Sequence, residues 1–416
     1  MSTKGESRGG NRTRREFLQG TSAMLAGAAL AGTTPRAWAG QESNGETIRI
    51  GVVGGGFGAR FGWWRQHPNC VVEAVSDLRP ERLELLKETY QCDKGYESLE
   101  QLILDEAIDA VAVFTGAPDH VKHSVACMKE GKHVICAVPA GCHLEECEEL
   151  LETVKETGLT YMMAETSYYH QGMISARKWW EEGRFGEIYY SESEYNHAGI
   201  ESLWIENGEP TWRYGYPPML YPTHNTAFLV GLTGERLTEV TCIGWGDEDS
   251  PFHPDNAYDN PFWNQTAFFK TSEGHAHRAQ VHRYGGHRST ERAQWFGTKK
   301  SFFLPHPHGV GPVMVHPGEQ TRLDDGRFHR EPPSLEQYEQ TQWWKTDMLP
   351  EPLRQPSGHE GSHTFLCHEF IDALVNERRP AIDVYEALAY TVPGIIANES
   401  ALRDGEQMRI PQYDAT

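Results

Sequence analysis

One short stretch restricts the fold of this chain more than any other. Ile48-Arg49-Ile50-Gly51-Val52-Val53 is an apolar strand pattern that runs straight into Gly54-Gly55-Gly56-Phe57-Gly58-Ala59. Gly54-x-Gly56-x-x-Ala59 has the spacing of a dinucleotide-binding turn with alanine in the third place. Gly54 permits the tight turn, Gly56 lets backbone approach a pyrophosphate, and the small Ala59 allows helix and strand to pack. Gly54, Gly56, Phe57, Gly58 and Ala59 are therefore the candidate residues of a nucleotide cradle, with helix N–H groups offered to phosphate. Asp77 ends the next apolar strand, 23 positions after Gly54, where a carboxylate can accept ribose hydroxyls. Such a carboxylate favours NAD, because it would repel a 2′-phosphate; Arg79 keeps NADP open.

From Thr47 to about residue 165, short apolar runs alternate with amphipathic stretches, which predicts a doubly wound parallel α/β unit. Strands are expected at 48–53, 71–76, 110–115, 133–137 and 159–164, and helices at 79–90, 120–129 and 144–156. Asp119 is the expected N-cap of the helix from His120. After Tyr168 the texture shifts to a helix (173–182) and alternating strands (188–195, 237–244, 266–270, 275–283), the pattern of a largely antiparallel sheet. Residues 305–340, rich in Pro, Gly and His, are expected as surface loops, and two helices (364–376, 385–404) close the chain. The predicted fold is thus α/β: a Rossmann domain over 46–168, and over 169–410 an α/β domain with an open, largely antiparallel sheet.

Ahead of the first strand, Thr13-Arg14-Arg15-Glu16-Phe17-Leu18 precedes a weakly apolar run and Ala37-Trp38-Ala39. Residues 1–39 are expected to be a twin-arginine export signal, with the mature protein periplasmic or otherwise exported. That route carries folded proteins, so a nicotinamide cofactor would have to travel bound and be regenerated in place. Lys and Arg number 38 against 59 Asp and Glu. Without residues 1–39 the formal net charge moves from -21 to about -25, which disfavours nucleic acid and anionic membranes as partners. No run reaches the roughly 18 apolar residues of a membrane span. The eight cysteines form no CxxC pair and several fall inside strands or helices, so few or no disulfides are expected.

The order of motifs resembles the glucose–fructose oxidoreductase/inositol dehydrogenase (Gfo/Idh/MocA) family over nearly the whole mature chain. The carriers are Gly54–Ala59, Thr115-Gly116-Ala117-Pro118-Asp119-His120, Gly131–Pro139 and Phe370-Ile371-Asp372-Ala373-Leu374. The resemblance implies NAD held by a Rossmann domain, with Thr115, Pro118, His120, Pro139 and Glu165 among the cofactor-binding residues. It also implies a carbohydrate substrate and a homo-oligomer formed through the open sheet. Two departures stand out. Where the family's dehydrogenases have Glu-Lys-Pro, this chain has Ala137-Val138-Pro139, which cannot relay a proton. Of the family's Asp-x-Gly-x-His, only the histidine of Leu220-Tyr221-Pro222-Thr223-His224 is kept. Val138–Ala140 and Tyr221–His224 resemble the family's NAD-dependent glycosidase branch, glycoside hydrolase family 109, although Ala137 replaces that branch's usual Glu.

Tyr221 and His224 are three apart at a helix start, a spacing that can place a phenol and an imidazole side by side as acid–base partners. They, with Arg213, are the candidate catalytic residues; Arg213 could also hold a sugar hydroxyl or carboxylate. Tyr168, Tyr169, His170 and Trp212 are candidate substrate contacts, and Trp204 and Trp263 could stack on sugar faces. His275, His277, His282, His287, His306 and His308 invite a metal reading, but no carboxylate or cysteine stands at ligand spacing in the sequence, and no metal is expected. The expected function is hydride transfer at a sugar carbinol carbon with recycled NAD, either as net redox or within redox-neutral glycoside cleavage. The competing reading is a sugar- or nucleotide-binding protein that lost the catalytic lysine.

Overall fold

β-Branched and small apolar residues at 48–53 and 110–113 suit strands buried on both faces, and these strands form the centre of the first sheet. The computed structural model describes residues 47–246, 256–286, 290–307 and 309–415. The first sheet is parallel, with strands β1 (Ile48–Val53), β2 (Cys70–Ser76), β3 (Gly95–Tyr96), β4 (Ala110–Val113), β5 (His133–Cys136) and β6 (Tyr161–Met163) in the order 3-2-1-4-5-6. The order reverses between β1 and β4, which puts a ligand crevice at their carboxyl ends. Ile50, Val52, Ala110, Val111 and Ile135 are fully buried there. Each large apolar side chain removed from water contributes about 1.5–3 kcal/mol.

The glycine turn does not open a long helix. One turn (Gly55–Gly58) passes into 3-10 turns at Ala59–Phe61 and Trp64–Gln66, with Phe61 and Trp64 fully buried. Pro68 follows and stops the segment. Helices Pro80–Tyr90, His120–Lys129 and Leu144–Thr157 flank the sheet as expected. Asp119 precedes the His120 helix without capping it: its backbone is already helical and its side chain makes no cap bond, because a 3-10 turn (Ala117–Asp119) feeds directly into the helix.

The second sheet is mixed and mostly antiparallel. Its strands are β7 (Ile188–Asn196), β10 (Leu237–Trp245), β11 (Asn264–Thr271), β12 (Ala276–His282), β13 (Thr290–Gly297), β14 (Ser301–Phe303), β15 (Val313–His316), β18 (Ser334–Gln337) and β19 (Met408–Arg409). They run 18-15-14-13-7-12-11-10-19, and only β7 and β12 pair in parallel. Two short hairpins lie outside it: β8 (Ile205–Glu206) with β9 (Glu209–Pro210), and β16 (Gln320–Arg322) with β17 (Phe328–Arg330). The expectation of loops over 305–340 is thus corrected. β15 and β18 extend the sheet at its edge, short and flanked by Pro312, Pro317-Gly318 and Pro332-Pro333, a common form for edge strands.

Helix Thr223–Thr233 packs under the inner face of this sheet, on Ala293 and Trp295 of β13 through Phe228. Helix Val384–Leu402 joins the two sheets: Thr391 Oγ1 accepts the Ala140 N–H at 3.1 Å, and Ser400 Oγ accepts that of Cys242 at 3.0 Å. All eight cysteines are buried and unpaired. Among the described residues no helix is long and apolar enough to cross a membrane.

Candidate functional site

The nucleotide cradle tests itself through its glycines. A side chain at Gly54 (φ 98°) would put its Cβ 2.3 Å from the Phe114 carbonyl oxygen, so only glycine makes this turn. Gly56 is different. It is exposed, and a Cβ there would meet nothing nearer than the Arg82 guanidinium at 3.6 Å, which leaves its face open to an incoming pyrophosphate. The packing role assigned to Ala59 belongs to Gly58, whose Cβ would lie 3.2 Å from Val52 and 3.3 Å from Phe114; Ala59 is only partly buried. Phe57 is half-buried and meets Phe114 edge-on at 5.2 Å. Asp77 accepts the Gly55 N–H at 2.6 Å and the Arg79 N–H at 2.8 Å, which fixes its carboxylate beside the turn at the ribose position. Arg79 and Arg82 are both bound by Glu206 of β8, so a carboxylate already holds the arginine that could have met a 2′-phosphate. The residues fit NAD.

Other cofactor candidates separate into wall and buttress. Thr115 and Pro118 are half-buried on the loop after β4, and Thr115 Oγ1 lies 2.9 Å from His123 Nδ1. His120 does not line the crevice. It is buried, with Nδ1 2.7 Å from the Pro139 carbonyl and Nε2 3.2 Å from that of Thr115. Burial lowers its pKa, so the neutral ring donates one hydrogen bond, the shorter to Pro139, and ties the β4 and β5 loops together. Glu165 is turned to His224 of the helix under the second sheet, at 2.7 Å. It is fully buried and faces the second sheet.

There the chain concentrates its charge. Glu165 Oε1 lies 2.7 Å from His224 Nδ1 and accepts the Ser167 N–H at 2.8 Å. Glu291, from the start of β13, approaches the same nitrogen at 3.5 Å, and Ser167 Oγ donates to it. His170 Nε2 is 3.2 Å from Glu291, and its Nδ1 is 3.7 Å from Glu360. His224 sits in the first turn of its helix, where the helix dipole disfavours a cation. Burial also pulls its pKa down, but Glu165 and Glu291 outweigh both and push it up to about 10. Burial would raise the Glu291 carboxyl, yet His224, His170 and His359 bring it down to about 2. Glu165 is held below its ordinary value by His224 against its own burial. At neutral pH the imidazole is therefore an imidazolium between two carboxylates. Its Nε2 has no hydrogen-bond partner among the described residues.

Glu165, His224 and Glu291 bring donor atoms within 4.8 Å of one another, the one group of metal-ligand type among the described residues. The 2.7 Å between Nδ1 and Oε1 is a charge-assisted hydrogen bond. Among the described residues the histidine run does not assemble. His277 is held between Ser191 and Ser193, and His275 lies between Glu187 (3.0 Å) and Glu235 (3.3 Å), so it has the carboxylate neighbours that the local sequence did not suggest. His287 and His308 lie outside the described residues.

Tyr221 is next to His224, ring centroids 5.3 Å apart, and Tyr195 of β7 closes the group at 4.7 Å from His224 and 6.0 Å from Tyr221. Arg213 lies over Trp212 (4.2 Å) and Tyr221 (5.7 Å). Trp212 in turn packs on the β4 loop, where a Cβ at Gly116 would come 2.7 Å from its ring. Tyr221, His224, Arg213, Trp212 and His170 thus converge between the two sheets. Tyr168 and Tyr169 do not: Tyr169 stacks on Phe365 in the core, and Tyr168 packs under Arg177 and against Gly231. Trp263 packs on Trp204 and Tyr284 in a small cluster of its own.

Sequence reading missed Glu291, Ser167, Arg283 and the segment His359-Glu360-Gly361. All three of the last have positive φ (46°, 54° and 89°). That strained turn brings His359 and His363 onto Phe57, at 6.1 and 5.7 Å, and so links the nucleotide turn to the charged group. Val138, buried at the position of the family lysine, carries no proton.

Residues 48–165 match the oxidoreductase family with an NAD-binding Rossmann fold, and residues 319–416 match the C-terminal domain of glycosyl hydrolase 109. A glycosyl hydrolase family 109 protein of Solibacter usitatus is 25% identical, over 96% of this chain and 97% of that protein. An α-N-acetylgalactosaminidase of Tannerella forsythia is 23% identical over 96% of each. The 2,7-anhydro-N-acetylneuraminate hydratase of Escherichia coli is 32% identical over 47% of this chain and 52% of its own length. Levoglucosan dehydrogenase in complex with NADH shares the fold, with a TM-score of 0.73 and 17% identity over 88% of this chain and 100% of that one. With its nucleotide turn and crevice, the chain carries over residues 48–165 the NAD-binding Rossmann domain of the Gfo/Idh/MocA oxidoreductases, and over residues 319–416 it resembles the C-terminal domain of glycoside hydrolase family 109.

Proposed function

We propose that this chain is an exported carbohydrate-active enzyme that keeps NAD bound and cleaves a glycoside without net redox. The observation that carries the reading is the buried Glu165–His224–Glu291 group beside Tyr221, set where Ala137 and Val138 leave no lysine to relay a proton. Bound NAD would accept a hydride from a sugar carbinol carbon and later return it. With the hydroxyl oxidised to a ketone, the neighbouring C–H becomes acidic enough to lose its proton. The aglycone then leaves the anomeric carbon as an alcohol, its oxygen protonated by His224. Water adds across the resulting double bond, and reduction of the ketone restores the sugar; the sum is one water consumed per bond cleaved. Tyr221 and His224 handle the proton lost from carbon and the proton given to the leaving group. Glu165 and Glu291 hold the His224 ring in place and keep it charged. The relatives named as family 109 proteins and as an α-N-acetylgalactosaminidase support this outcome over net oxidation.

The test is a panel of aryl glycosides and free sugars given to the NAD-loaded protein in D₂O. Aglycone release without accumulated NADH, and deuterium at the carbon beside the oxidised one, are the expected results. Stoichiometric NADH would replace this reading with net oxidation, and neither product would favour the binding protein.

Export completes the proposal, because a redox-neutral cycle suits a site without a nicotinamide pool. Arg14→Lys with Arg15→Lys is expected to leave the precursor in the cytoplasm, folded and carrying NAD. Mature protein still reaching the far side of the inner membrane would refute the twin-arginine signal. The same reading has the open outer face of the second sheet meeting a further copy, which light scattering of the mature protein would report as a mass above the monomer.

A further inference from the structure

Arg283 is a buried cation that nothing among the described residues neutralises. It follows β12 at an inward-facing position, in line with His277, Ala279 and Val281, and is 5% exposed. Its guanidinium lies 5.3 Å from the Tyr221 ring and 5.5 Å from that of Tyr195, and its Nη1 is buried without a hydrogen-bond partner. Its charged neighbour is a second cation, Arg213, and burial together with Arg213 lowers its pKa. No carboxylate among the described residues reaches either guanidinium. Both line one recess, whose other walls are Ile200, Trp204, Trp212 and Tyr216.

A buried, unpaired guanidinium is costly, and a second cation beside it adds repulsion. The tyrosine faces offset part of that through their ring quadrupoles, but they leave Nη1 unbonded. An anion with two or three oxygens would answer both cations, since a guanidinium matches a planar carboxylate or a sulfate in a forked, charge-assisted geometry. The aromatic walls suit the apolar face of a sugar ring. Tyr221, which touches both arginines and His224, ties this recess to the proposed reaction.

We propose that Arg213 and Arg283 bind an anionic substituent, a carboxylate or a sulfate ester, so that the substrate is an acidic saccharide. This rests on the reading of the Tyr221–His224 side of the crevice as the substrate face.

The experiment titrates the NAD-loaded protein with matched pairs: methyl hexuronosides against methyl hexosides and uronoside methyl esters, and 6-sulfated N-acetylhexosamines against the unsulfated sugars. Calorimetry and quenching of tryptophan fluorescence read the affinity, the latter because Trp204 and Trp212 line the recess. At least one acidic member is expected to bind ten-fold or more tightly than its neutral partner, and the carboxylate and sulfate arms tell the two sources apart. Arg283→Gln and, at the half-exposed rim, Arg213→Gln should each remove the preference, while Arg283→Lys keeps part of it. Melting temperature and NAD content of each variant separate lost charge from lost fold. The proposal is overturned if no acid in the panel binds better than its neutral partner, binding of nothing included, or if Arg213→Gln leaves the preference intact. Acids that bind without any glycoside being cleaved would sink the proposed reaction and leave the anion site standing. Cleavage of neutral glycosides with acids rejected would do the reverse.

Discussion

His224→Ala is expected to cut turnover by about 10²–10⁴-fold, the usual loss when a positioned acid–base group is removed. Tyr221→Phe should fall in the same range. Both rings lie between the sheets, Nδ1 of His224 is taken by Glu165, and the unpartnered Nε2 is the end left to act on a substrate. Neither side chain touches Gly54, Gly56 or Asp77, so NAD content after purification should be unchanged in both variants. His224→Ala also leaves the buried Glu165 and the partly buried Glu291 without their cation, so it should lower the melting temperature as well. Tyr221→Phe removes one oxygen from a packed ring and should melt near wild type. A Tyr221→Phe protein with full activity on an identified substrate would remove the phenol from the mechanism. Full activity of His224→Ala would remove the whole charged group from it.

How far the sequence led depends on which contacts are local. β1 was legible to the residue, because its alternation, glycine turn and acidic strand end fall within one βαβ unit. The Tyr221–His224 pair was legible for the same reason: its spacing is a property of a single helix start. Tyr168 and Tyr169 misled because adjacency to His170 says nothing about direction. On this 3-10 turn His170 enters the site while its two neighbours point into the core. Glu291 and Arg283 were invisible as site residues because each reaches the crevice from a strand far along the chain. A signal was nonetheless present for both. Arg283 continues the inward series His277, Ala279, Val281, and Glu291 continues that of Ala293 and Trp295. A charge at an inward position of an alternating strand has to meet a partner or a ligand. The helix whose N–H groups were to meet the phosphate is a single turn for a local reason, since Gly62, the buried Trp64 and Pro68 allow only short turns.

The same pairings set a pH dependence with a definite sign. His224 has its pKa raised from 6.5 to about 10, so a step that needs its proton should persist through pH 8 and fail only as pH approaches 10. In kcat/KM the alkaline limb should therefore lie near 10 and not near 6.5. Glu165→Gln removes the carboxylate at 2.7 Å from Nδ1 and should draw that limb toward neutrality; Glu291→Gln should do so less, from 3.5 Å. Stability follows the same groups. A raised pKa means that the His224 contribution is complete below pH 6.5 and is lost as pH climbs through about 10. Glu291 is lowered from 4.5 to about 2, so its contribution is complete above 4.5 and is lost as pH falls through about 2. Both are intact only between pH 4.5 and 6.5, and the wild type should lose melting temperature on either side of that window. His224→Gln should flatten the alkaline side, because a neutral amide has no proton to lose. Comparing the two proteins from pH 5.5 to 10 isolates the histidine from the lysines and tyrosines that titrate in both. A wild-type limb near 6.5, or a limb that stays in place in Glu165→Gln, would show that the carboxylates do not hold the imidazole charged. Activity that instead rose with pH through about 6.5 would make His224 a base, and protonation of the leaving group would have to be assigned elsewhere.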